Sequence, residues 1–142
     1  MDQLNFTSTA NKAAPPNGLT ADLPIITILK ECYLLWHNFL PHVPRLSRYT
    51  LGVKIDELFI NILELAQTAQ YTKREDKLSF LQQLNRKFDT LKFFITLLWE
   101  AKGLDASQYG QLSQKLAAAG KMLGKWLQLF KTETPAVKTG AS

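Results

Sequence analysis

Apolar side chains recur every three or four positions along most of the chain, and this spacing predicts helices with no competing strand alternation. In a first helix from about Pro24 to Leu40, one stripe holds Ile25, Ile28, Leu29, Cys32, Leu35, Trp36 and Phe39, while Thr27, Lys30, Glu31 and Asn38 fall elsewhere. Pro24 suits a first turn because no backbone donor is needed there, and Pro41 stops the helix. A connection stiffened by Pro41 and Pro44 leads to a second helix, with Ser47 as its expected cap and Tyr71 near its end. Its apolar positions include Leu51, Ile55, Leu58, Phe59, Ile62, Leu63 and Ala66. A third helix opens on Thr72-Lys-Arg-Glu75, the pattern of a capping box, and runs to about Lys102, with Gly103 ending it. The fourth opens in the same way on Asp105-Ala-Ser-Gln108 and runs to about Lys131.

The fourth helix sorts into three surfaces. Leu112, Leu116, Ala119, Leu123, Trp126, Leu127 and Phe130 form an apolar stripe, and Ser113, Ala117, Gly120 and Gly124 form a small-residue stripe beside it. Gln114, Lys121, Lys125 and Gln128 share the opposite face. Four such helices joined by short connections predict an all-α, up-down-up-down four-helix bundle. No repeat suggests a solenoid. The pattern also holds more apolar surface than one bundle needs. In Phe93-Phe-Ile-Thr-Leu-Leu-Trp99 it wraps around the helix, and Val53, Ile60 and Leu65 lie outside the main stripe of the second helix. Burial between subunits through the second and third helices is the simplest account, so a homo-oligomer is expected.

Length and composition fit that picture. With 142 residues, 46% of them apolar, the chain makes one domain with a real core, and neither composition nor Gly and Pro content suggests a collagen-like or disordered class. Residues 1–22 and 132–142 lack apolar periodicity and are read as flexible N-terminal and C-terminal tails around a bundle domain at 23–131. That domain carries 15 basic and 9 acidic residues, a net charge of +6 against +5 for the whole chain. The positive charge therefore belongs to the folded part and favours anionic partners. One cysteine, no signal-peptide pattern and no apolar run long enough to span a bilayer give the expectation of a cytoplasmic protein without membrane association.

Catalytic chemistry has little to stand on. His37, His42 and Cys32 are separated by a helix end and do not form a metal-ligand spacing, and no nucleophile triad or phosphate loop is present. The reading is of a non-enzyme with no catalytic residues, no metal and no cofactor. Gly120 and Gly124 have a small-xxx-small spacing, but Lys121 and Lys125 make that segment too polar for a membrane and point to close helix approach in a water-facing interface. What remains are basic clusters: Arg45, Arg48 and Lys54 around the start of the second helix; Lys73, Arg74 and Lys77 at the start of the third; Arg86, Lys87 and Lys92 along it; and Lys121 and Lys125 on the fourth. Any one of these serves equally as a solvated face. Lys73 and Arg74, however, oppose the helix dipole, so helix stability does not explain them. Tyr49 and Tyr71 are candidates either to stack on bases or to close the bundle ends.

Three strings carry a family resemblance. Residues 23–71, LPIITILKECYLLWHNFLPHVPRLSRYTLGVKIDELFINILELAQTAQY, are followed by KFDTLKFFITLLWE at Lys87–Glu100. Lys102-Gly-Leu-Asp105, Tyr109 and Gly120-Lys-Met-Leu-Gly-Lys-Trp126 complete the pattern. Over about residues 23–131 the chain resembles the accessory variability determinant (Avd) proteins of diversity-generating retroelements, with SRYTLG and LKFF…WE together the most specific part. The resemblance implies a basic four-helix bundle that assembles as a homopentamer and has no known active site. It also implies a role beside the element's reverse transcriptase and its template-repeat RNA during adenine-directed mutagenic copying. Arg45, Arg48, Lys54, Arg74, Lys77, Arg86 and Lys87 are then the candidate contacts to nucleic acid or reverse transcriptase, with Lys121 and Lys125 second. The alternative is a structural oligomer related to proteins encoded in ribosomal RNA intervening sequences, without nucleic-acid function.

Overall fold

The computed structural model describes residues 22–133, and among these residues every regular element is helical. Helix α1 spans Pro24–Phe39 and ends in a 3₁₀ turn, Leu40–His42. The next rod starts as one turn at Arg45–Ser47, passes through a π-helical segment at Arg48–Gly52 and continues as α2, Val53–Tyr71. Helices α3, Arg74–Glu100, and α4, Ala106–Glu133, complete the chain. The tails read at 1–22 and 132–142 lie outside the described residues, apart from Asp22 and the last turn of α4. Asp22 accepts a 2.6 Å hydrogen bond from Lys30, which holds its carboxyl below the usual range.

The helices pack around one core: α2 on α3, α3 on α4, α4 on α1, and a smaller α1–α2 contact. Trp36, Phe59, Phe88, Leu29, Ile62 and Leu91 are almost wholly buried in it. Side chains of this size each contribute about 1.5–3 kcal/mol by leaving water. Cys32 lies among them, and burial pushes its thiol up to about 11, so it is a packing residue and not a nucleophile at neutral pH. The Trp36 indole Nε1 donates to Asp56 at 3.1 Å, while the buried Arg48 Nε and Gln70 Nε2 have no hydrogen-bond partner among the described residues. At one end of the bundle the Leu23 amide donates to the Gln70 side chain at 2.8 Å, tying the start of α1 to the end of α2.

Two helix starts differ from the sequence reading, and the expected stop at Gly103 has its own geometry. Ser47 does not cap the second rod, which begins two residues earlier because Pro44, held extended at φ −53°, ψ 145°, already sets its start. The Ser47 side chain makes no capping bond. The Thr72–Glu75 box does not form either: Lys73 occupies the cap position, and Thr72 donates its hydroxyl back to the Thr68 carbonyl at 2.6 Å. Gly103 stops α3 by a route other than glycine's freedom at positive φ. Lys102 takes the left-handed position at φ 67°, and the amides of Lys102 and Gly103 bond back to the Trp99 and Leu98 carbonyls at 2.9 and 2.8 Å. Gly103 is needed because any Cβ there would overlap the Leu98 side chain. The Asp105–Gln108 box is formed as expected, with reciprocal bonds of 2.7 and 3.0 Å.

The apolar excess is also visible. Ile95 and Leu98 are buried and Phe94 and Leu97 half-buried, while Phe93 keeps 65% of its surface in solvent. Val53 and Ile60 are exposed on α2. Trp99 stays partly exposed although its ring stacks on Tyr109 at 4.4 Å, with Tyr109 hydrogen-bonded to Thr96.

Candidate nucleic-acid interface

The fold divides the nine candidate basic residues into separate groups. Arg45, on the turn before the π segment, is exposed, and Arg48 within that segment is half-buried with its guanidinium 5.8 Å above the Tyr49 ring. The π turn adds a residue to the helical rod and so rotates Arg45 and Arg48 relative to α2. Gly52 closes the segment where a side chain would press on Leu40 and the Ser47 carbonyl. Lys54 follows, with its ammonium 5.9 Å from the Phe94 ring on α3.

Two turns further along the same α2–α3 seam lies a groove of about 590 Å³, lined by Asn61, Glu64, Leu65, Gln67, Thr68 and Lys87. Lys87 also borders a second hollow of about 310 Å³ with Gln83, Arg86 and Thr90. Lys54 and Lys87 thus lie on the α2–α3 seam, and Arg86 stands beside Lys87 in a hollow lined by α3 alone, so that carboxamide and hydroxyl side chains surround Lys87, Arg86 and the Glu64 carboxylate. Such a lining can hold an anionic, hydrogen-bonding chain through phosphate contacts supported by neutral donors and acceptors. The sequence reading found the two cations and missed Asn61, Gln67, Thr68, Gln83 and Thr90. Their signal was present: Asn61 and Thr68, like Gln83 and Thr90, stand seven residues apart and therefore flank one side of each helix.

Arg74 and Lys77 belong to another place. Both cations lie 5.4 Å from the Phe130 ring near the end of α4, on the side of α3 that packs against α4. Contacts of this kind contribute about 0.5–1 kcal/mol at exposed sites, so this pair has a packing role whatever else it does. Lys121 and Lys125 stand on the outward face of α4, away from both groups. Tyr49 and Tyr71 are exposed, so neither closes a bundle end. Lys92 leans over Phe88 at 5.3 Å and pairs with Asp89 at 3.6 Å.

Among the described residues no three His, Cys, Asp or Glu side chains gather as a metal site, and no helix is long and apolar enough to cross a membrane. No curated protein and no solved structure matches the chain. A family model does, over residues 28–130, which takes in all four helices, the π segment and the α2–α3 seam. The chain belongs to the bAvd-like family.

Proposed function

We propose that the protein is a non-catalytic accessory factor of a diversity-generating retroelement, a basic scaffold that binds the element's reverse transcriptase and template-repeat RNA in the cytoplasm. Its helices run up-down-up-down, and copies associate into a ring, five by resemblance to Avd proteins. The family match carries this reading. The exposed Val53, Ile60 and Phe93 support self-association, and the net charge of +6 on residues 23–131 supports an anionic partner. Five copies would bring about +30 to one particle, and weak phosphate contacts repeated around an axis add through effective concentration.

Arg86 and Lys87 are the residues to test, because Lys87 lines the seam among neutral polar side chains, Arg86 stands beside it, and neither has a capping duty. In R86E/K87E, RNA affinity measured by fluorescence anisotropy should fall at least tenfold, and the slope of log K against log salt should flatten by about one to two units. Helicity and particle mass should stay the same. Unchanged affinity and slope would remove the seam as the RNA contact and leave its charge to the reverse transcriptase or to a structural oligomer.

A further inference from the structure

The outward faces of α2 and α4 are complementary in charge and in relief, and among the described residues neither is satisfied. On α2 the residues Val53, Glu57, Ile60, Glu64, Gln67 and Tyr71 recur at steps of four and three, which places them on one side, and all six are exposed. The middle of this stripe is apolar and acidic. On α4 the same steps join Gly110, Gln114, Ala117, Lys121, Gly124 and Gln128, with Lys125 beside them, and these too are exposed. This stripe is thin and cationic. Among the described residues, none of Glu57, Glu64, Lys121 and Lys125 has an ion-pair partner.

The glycines sharpen the case. Gly120 has a reason inside the chain, since a Cβ there would press on Phe88 at 3.3 Å. Gly110 and Gly124 have none among the described residues: a Cβ at either would meet nothing within 4 Å there. A glycine in a helix interior is about 1 kcal/mol less favourable than alanine, so two on one exposed face carry a cost that the isolated chain does not repay. Close approach of another surface explains them, and it would seat Val53 and Ile60 against Ala117, Gly124 and the lysine stems.

We infer that the outward face of α2 in one copy docks on the outward face of α4 in a second copy, with Glu57 and Glu64 facing Lys121 and Lys125. Pairing α2 with α2 would oppose carboxylates, and pairing α4 with α4 would oppose ammoniums, so charge selects the mixed contact. On α3 Asp89 is already paired with Lys92, and on α1 Lys30 and Glu31 are already paired with Asp22 and Lys115. Because the two faces lie on different helices of one chain, the contact is head-to-tail and repeats until it closes. This deepens the oligomer proposed above and rests on it. It also takes Lys121 and Lys125 out of the pool of RNA contacts and puts α4, in place of α3, opposite α2. The Glu64 and Gln67 edge of the groove then turns toward the second copy, so that the α3 side with Lys87 is what faces RNA.

Light scattering on the full chain tests it. Wild type should run as a multiple of 16.1 kDa. E57K/E64K and K121E/K125E should each dissociate at least a hundredfold more readily, and the quadruple swap should reassemble, all with native helicity by circular dichroism. A zero-length carbodiimide should link Glu57 or Glu64 to Lys121 or Lys125 between wild-type copies, a readout that does not depend on any variant folding. Assembly unaffected by either double variant, or cross-links that never join these residues, overturns the pairing while leaving the oligomer intact. A wild-type chain that runs as a monomer overturns the oligomer itself.

Discussion

The α2–α3 and α3–α4 connections begin from almost the same instruction and end in different structures. Thr72-Lys-Arg-Glu75 and Asp105-Ala-Ser-Gln108 both spell a capping box, but only the second closes. The difference lies in what precedes each box. Two residues separate α2 from α3, so Thr72 also ends α2, and its hydroxyl satisfies the Thr68 carbonyl there. That shifts the cap to Lys73 and leaves Glu75 one position too early to reach back. Between α3 and α4 there are five residues, enough for a left-handed Lys102, a buried Gly103, a buried Leu104 and an unshared Asp105. A capping motif acts only where the preceding helix does not claim the same side chain.

The α3–α4 connection, which is held by its own side chains, should therefore be the one that substitution disturbs most. G103A places a methyl group into the Leu98 side chain and should cost about 2 kcal/mol, read as a lower urea midpoint. Next comes D105A, which removes the acceptor for the Gln108 amide and should cost about 1 kcal/mol. K102G should act in the other direction. It relieves a non-glycine residue at φ 67° and should stabilise by about 0.5–1 kcal/mol, raising the melting temperature by a few degrees. A destabilising K102G would mean that the lysine side chain holds the turn together through contacts more favourable than the strain.

Helices and core were legible because they depend on spacing. The stripe residues Leu29, Cys32, Trp36, Ile62, Leu112 and Leu123 are all buried, and of the apolar residues that spill off the stripes, Val53, Ile60 and Phe93 are exposed while Leu65 is half-buried against the core. Helix ends were less legible because they depend on competition between neighbours, as at Thr72, or on long-range sterics, as at Gly103 against Leu98. The π segment had no sequence signal: Arg48–Gly52 reads as ordinary helix, and only its backbone bonding reveals the extra residue per turn. The candidate site was half legible. Charge marks Arg86 and Lys87, but the neutral lining from α2 belongs to the pairing of two helices and is not encoded in either alone.

The smallest expected effect is the one that best separates the two connections. T72A deletes a hydroxyl that, among the described residues, bonds to the Thr68 carbonyl in the last turn of α2. That carbonyl lies near solvent and can be hydrated when the hydroxyl is gone, and threonine is a poorer helix former than alanine, so the net loss should be at most a few tenths of a kcal/mol. If Thr72 capped α3 through the Glu75 amide, the same substitution would cost about 1 kcal/mol, as D105A should. Urea unfolding of T72A beside D105A therefore measures the difference directly. Equal losses would mean that the box at Thr72 closes in solution and that α3 begins one residue earlier than Arg74. A loss confined to D105A would leave the α2–α3 end held by helix packing and by Phe130 beneath Arg74 and Lys77, with no cap of its own.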